Sequence, residues 1–209
     1  FSPSGLRLGL GTLIIHCLFP SGTLWAHQAP SEPTRRDPSS LIQKGDSELG
    51  LLAGGGIAHA IWGGRGDRQF VTLGGRLGRV LTGPVGPGLL KGNFEVSVEL
   101  LPVFVMLQEE TTYALSVTLL FRHYLAPGSR MKPFVSFGAG SLFSGKEIPP
   151  GTTSLNFTPQ AGLGIAVFVK ERLSYQLEYR IHHISNASLA TPNPGVNSSY
   201  FQFGVSVFR

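Results

Sequence analysis

The chain has 209 residues, the size of one ordinary domain, with a formal charge of +5 and only 14% charged residues. Its basic residues Arg65, Arg68, Arg76, Arg79, Arg122 and Arg130 are scattered rather than grouped with aromatics, so nucleic acid is not an expected partner. Past the N-terminal segment no apolar run approaches the ~20 residues of a membrane-spanning helix, and the single Cys17 leaves no disulfide framework.

Residues 1–29 read as a signal peptide. Arg7 precedes an apolar run from Leu10 to Phe19, and Ala26 and Ala29 offer cleavage points. His16 in front of Cys17 fits a lipoprotein box badly. Residues 30–46 read as a flexible spacer, because Pro33, Arg35, Arg36, Asp37 and Pro38 break any periodic pattern. Residues 47–209 are expected to form one β-domain.

Eight strand-length runs of period two follow, at about 48–61, 69–81, 91–104, 111–125, 131–143, 155–169, 172–185 and 198–209. In the fourth, Tyr113, Leu115, Val117, Leu119 and Phe121 alternate with Ala114, Ser116, Thr118 and Arg122. In the sixth, Leu163, Ile165, Val167 and Val169 alternate with Gly162, Gly164, Ala166 and Phe168. In the last, Phe201, Phe203, Val205 and Val207 alternate with Tyr200, Gln202, Gly204 and Ser206. No amphipathic helix interrupts them.

Eight antiparallel strands can close as a soluble barrel with its apolar face inward, or as an outer-membrane barrel with that face outward. The second face carries Glu95, Glu99, Gln160, Gln176, Glu178, Arg122, Arg180 and Gln202 among many glycines. Opposite charges among small residues suit a narrow closed lumen. The expectation is therefore all-β: an eight-stranded antiparallel transmembrane β-barrel of the bacterial outer membrane. Phe208, next to the end, is expected in an aromatic girdle. The turns near Lys170 and Pro127 are short, whereas 144–154 and 186–197 form longer loops. Small barrels keep short turns on the periplasmic side, which puts the end of strand seven outside; the 81–90 loop is long for its side.

Strand seven ends in the most informative stretch, Tyr179-Arg180-Ile181-His182-His183-Ile184-Ser185-Asn186-Ala187, followed by Pro192-Asn193-Pro194-Gly195-Val196-Asn197. Residues i and i+2 of a strand share a face. His183 and Ser185 can therefore meet as base and nucleophile, and they share the apolar parity of Leu177, Tyr179 and Ile181. Such a pair on the lipid-facing side suits a lipid substrate. The plain alternative is two polar residues at the rim of the wall. His182 has the opposite parity and reads as a lumen hydrogen-bonder. Glu178 and Arg180 read as partners for lumen charges such as Arg122 and Glu99. Gly54-Gly55-Gly56 has no helix after it, so it reads as strand bending rather than a phosphate cradle. No cluster has metal-ligand spacing.

His183-Ile184-Ser185-Asn186-Ala187, Pro192-Asn193 and Gly195 resemble the signature of PagL-type lipid A 3-O-deacylases. The specific match covers about fifteen residues. The resemblance implies an eight-stranded outer-membrane barrel that removes the 3-O-linked acyl chain of lipid A, with lipopolysaccharide as partner and no cofactor. Ser185 would be the nucleophile and His183 the general base. The Asn186 backbone amide and the Asn193 side chain would form the oxyanion hole. The family's acidic residue lies fourteen positions after the histidine, where this chain has Asn197. Asn can orient an imidazole but supplies no charge. On charge alone, Asn197→Glu should raise activity. A catalytically silent barrel that binds lipopolysaccharide is the competing reading.

Overall fold

The computed structural model describes residues 41–209. The signal peptide expected at 1–29 and most of the spacer lie outside the described residues. Nine strands follow one another: β1 Ser47–His59, β2 Gln69–Val80, β3 Gly92–Leu107, β4 Thr112–Leu125, β5 Met131–Ser144, β6 Leu155–Phe157, β7 Gln160–Phe168, β8 Leu173–Ile184 and β9 Val196–Phe208. Neighbours in sequence pair antiparallel, except that β6 and β7 both pair with β5 rather than with each other, and β1 pairs with β9, so the sheet closes on itself.

Strands β6 and β7 are two pieces of one stave. Both pair with β5, β6 at 141–143 and β7 at 131–138. Pro159 has no N–H to donate, so the ladder breaks there. Thr158 N–H still reaches Gly140 O at 2.9 Å and Pro159 O still accepts from His183 N–H at 3.1 Å. The wall thus has eight staves, at the positions where period two predicts them.

Parity decides what faces where. Leu163 is 64% exposed, and Leu115, Phe201 and Phe203 are also exposed, while Glu178, Arg180 and Gln202 are buried. An outer wall of this composition requires an apolar surrounding. Phe208 corrects the girdle expectation. It has the parity of Gln202 and Tyr200, not of Phe201, and is fully buried against Phe168 and Tyr124 inside the barrel.

The lumen is closed in three layers. At the lower end, where the short turns lie, Ile42, Val80, Tyr124, Phe134, Ala166, Phe168 and Phe208 form an apolar plug. Residues 41–46 therefore pack with the barrel rather than extending the spacer, because Ile42 gains a dry site there. In the middle, Arg76, Arg122 and Arg180 interleave with Glu48, Glu95, Glu99 and Glu178. Arg180 reaches both Glu99 and Glu178 at 2.7 Å. Buried charges persist only when paired and hydrogen-bonded in this way. At the upper end Phe70, Phe104, Met106, Leu142, Ile184, Val196 and Tyr200 form a second plug. His182 packs there, with its ring 5.5 Å from Phe70 and 5.8 Å from Tyr200. Among the described residues these three layers fill the lumen with packed side chains.

Candidate active site

The upper ends of β8, β9 and β1 carry a row of outward polar residues. His183 on β8 lies directly opposite Asn197 on β9, and Asn197 lies opposite His59 on β1. The His183 and Asn197 side chains meet, with Nδ1 2.6 Å from Oδ1. Asn197 Nδ2 donates to the Ile61 carbonyl at 2.8 Å. A carbonyl oxygen can only accept, so the NH2 end of the amide must face Ile61 and Oδ1 must face the ring. Oδ1 in turn can only accept, which assigns the ring proton to Nδ1. In the neutral ring Nε2 is then the acceptor nitrogen.

Ser185 follows His183 by two residues on the same face. Its backbone is pinned across to β6: Phe157 N–H donates to Ser185 O at 2.7 Å and Ser185 N–H to Phe157 O at 3.1 Å. Among the described residues its hydroxyl makes no hydrogen bond to the His183 ring. Strand spacing puts the two side chains on one face of the wall.

The loop after Ser185 folds back on itself. Asn186 is buried, and its side chain donates to the carbonyls of Ala190 at 3.1 Å and Pro192 at 3.4 Å. Its Oδ1 accepts from Ser188 N–H at 2.9 Å, and Ala187 and Ser188 both take positive φ to make that turn. The two residues expected in the oxyanion hole are paired with each other. The Asn186 backbone N–H donates to Asn193 Oδ1 at 3.1 Å. This leaves Asn193 Nδ2, with one long contact of 3.4 Å to Ser188 Oγ, as the donor end turned away from that bond. Gly195 closes the loop at φ +61, and a Cβ there would lie 2.9 Å from His183 Cε1. Only glycine combines that backbone with room for the ring.

Beside His183 the outer wall carries an apolar groove of about 650 Å³, lined by Leu119, Phe121, Phe137, Ala139, Pro159, Ala161 and Ile181 among others. Small residues make the dent. Gly138, Ala139 and Ala161 are among its lining, and Ala161 stands between Phe137 and Ile181 in the ladder.

Three features of this region have no signal in the local sequence. The first is the Ile61 carbonyl. The second is Gly64, whose missing Cβ would lie 2.5 Å from Asn197 Nδ2. The third is a polar cluster below His59. His59 Nε2 is 2.9 Å from Ser199 Oγ, and Ser199 Oγ is 3.0 Å from the Tyr179 hydroxyl. Parity places Tyr179 and Ser199 outward, but nothing local says that β1 will stand next to β9.

A closed, charge-filled barrel with an apolar outer wall defines an outer-membrane β-barrel. The family model for lipid A 3-O-deacylase (PagL) matches residues 85–206, more than half of the chain, and the chain belongs to that family. It is accordingly a hydrolase of the outer membrane, with lipid A as substrate. No curated protein matches the sequence. Among solved structures, the outer-membrane enzyme PagL is 20% identical over 74% of this chain and 97% of its own, with a TM-score of 0.48. The N-terminal β-barrel domain of Pseudomonas aeruginosa OprF is 12% identical over 80% and 100%, with a TM-score of 0.52, which is a likeness of fold alone. Pseudomonas aeruginosa OprG is 12% identical over 83% and 99%, with a TM-score of 0.46.

Proposed function

We propose that this lipid A 3-O-deacylase works as a serine esterase with Ser185 as nucleophile, His183 as general base and Asn197 as the residue that orients the base. The observation that carries this reading is the 2.6 Å contact between His183 Nδ1 and Asn197 Oδ1, on the same face as Ser185 and beside the apolar groove. Nε2 takes the hydroxyl proton as Ser185 Oγ attacks the ester carbonyl carbon. The tetrahedral intermediate carries its charge on the former carbonyl oxygen, which the Asn193 side chain stabilises as donor. The bond to the sugar oxygen at position 3 breaks, and that oxygen takes the proton from Nε2. Water, deprotonated by Nε2, then attacks the acyl–serine carbonyl; the bond to Ser185 Oγ breaks, Oγ takes the proton back from Nε2, and the fatty acid leaves. Each of these steps is a proton or acyl transfer.

The acyl chain reaches the site from lipid, so laying it in the groove removes no apolar surface from water. Lipid tails are as apolar as the wall. The groove contributes shape instead. It holds one chain still, with its ester end at His183, and so supplies the positioning on which attack depends. The site stands at the end of β8 away from the short turns, which in this reading is the lipopolysaccharide-bearing leaflet.

The test is a lipid A mass spectrum from an outer membrane expressing the protein. Loss of one hydroxyacyl chain, abolished by Ser185→Ala in a folded barrel, is the expected result. An unchanged spectrum with correctly folded wild-type protein would instead favour the catalytically silent barrel.

A further inference from the structure

A triad carboxylate accepts hydrogen bonds on every edge, so it presents an acceptor to the histidine whichever way it turns. An amide does not. Its two ends are nearly the same shape, but one accepts and the other donates. If the NH2 end of Asn197 faced His183, the ring would hold its proton on Nε2, and Nε2 could not act as base. Something must therefore select the amide orientation, and the β1–β2 loop is placed to do so.

We propose that the β1–β2 loop is a positioning element of the active site, in which the Ile61 carbonyl orients the Asn197 amide and so sets the tautomer of His183. The proposal rests on the esterase reading and adds residues from a part of the chain outside the matched 85–206. Four observations support it. Asn197 Nδ2 donates to Ile61 O at 2.8 Å, and the residue is 7% exposed, so water cannot easily replace that contact. The same carbonyl accepts from Gly64 N–H at 2.9 Å, closing a tight turn through Trp62 and Gly63, both at positive φ. Gly64 leaves the amide its space, since a Cβ would stand 2.5 Å from Nδ2 and 3.1 Å from Ile61 O. Arg65 N–H donates to Gly195 O at 3.3 Å, tying this loop to the residue that packs on the His183 ring.

Trp62 adds weight to the assignment. A bulky side chain in the left-handed region is strained, and strain of this kind persists where the surroundings over-determine it. Here the side chain is 84% exposed, so no packing of its own explains the conformation. The turn geometry, which aims the Ile61 carbonyl at Asn197, does. The clamp also reverses the charge-based expectation for position 197. A carboxylate there would set a lone pair against the Ile61 carbonyl, so the pocket is complementary to an amide.

The test is a cycle of Gly64→Ala and Asn197→Ala in the full-length protein in micelles, read by ester hydrolysis and by ¹⁵N NMR of the histidine rings. Gly64→Ala should lower kcat by about tenfold or more with KM little changed, and it should move the His183 proton from Nδ1 toward Nε2. In the Asn197→Ala background, where no amide remains to be displaced, Gly64→Ala should cost nothing further. Equal losses in both backgrounds, or an unchanged rate and tautomer in Gly64→Ala, would overturn the proposal. The NMR reading does not depend on turnover. An Nδ1 proton in wild type that moves in Gly64→Ala, without any acyl release, would sink the esterase reading and keep the clamp.

Discussion

Replacing Arg180 by methionine should destabilise the barrel strongly while leaving the outer-wall site in place. Arg180 is fully buried in the lumen. Its guanidinium donates to Glu99 Oε2 at 2.8 Å and Oε1 at 2.7 Å, to Glu178 Oε1 at 2.8 Å and Oε2 at 2.7 Å, and to the Gln160 and Gln202 Oε1 atoms at 2.9 Å. Methionine roughly conserves the stem but removes the charge. Glu99 and Glu178 would then share Arg76, which reaches Glu178 only at 3.4 Å. Removing one partner of a buried pair typically costs about 3–5 kcal/mol, because it strands the other charge. The assay is urea unfolding in lipid vesicles, followed by the heat-modifiable electrophoretic mobility of folded barrels. The Arg180→Met/Glu178→Met double variant restores the charge balance and should be less destabilised than Arg180→Met alone. A single-variant loss under about 1 kcal/mol, or a double variant that adds a full second loss, would refute the account of the lumen as a mutually compensated network.

Further outcomes follow from the site and wall. Asn197→Ala should lower kcat by about 10- to 100-fold, the scale of losing one or two hydrogen bonds that orient a base, with little change in KM; full activity would reduce Asn197 to a loop residue. Ala161→Phe should fill the groove and depress hydrolysis of long acyl esters more than of short ones; equal losses for both would separate the groove from substrate binding. Leu163→Arg, on the exposed face of β7, should cost about 2–4 kcal/mol of folding into bilayers if it lies near the midplane, and a negligible cost would displace β7 from the hydrocarbon layer.

The sequence determined the strands, their number and their parity, because a wall with lipid on one side and a polar lumen on the other leaves a period-two record in every stave. Leu163 and Phe201 facing out, and Glu178 and Arg180 facing in, are legible two residues at a time. The same rule read correctly assigns Phe208 to the interior; composition near the C-terminus suggested a girdle, but parity overrides composition. That His183 and Ser185 share a face was legible for the same local reason. The partnership of His183 with Asn197 came from a family spacing, and its geometry depends on the β8–β9 register. Barrel closure decided the rest. Ile61 and Gly64 lie more than 130 positions from Asn197 in the chain and meet it only because β1 closes against β9. Likewise, the Asn186 amide and the Asn193 side chain, each a plausible oxyanion donor alone, bond to each other once the loop folds back. Local pattern specifies which face a side chain occupies, whereas hydrogen-bond partners across a closed sheet depend on register and loop path, which no short window of sequence contains.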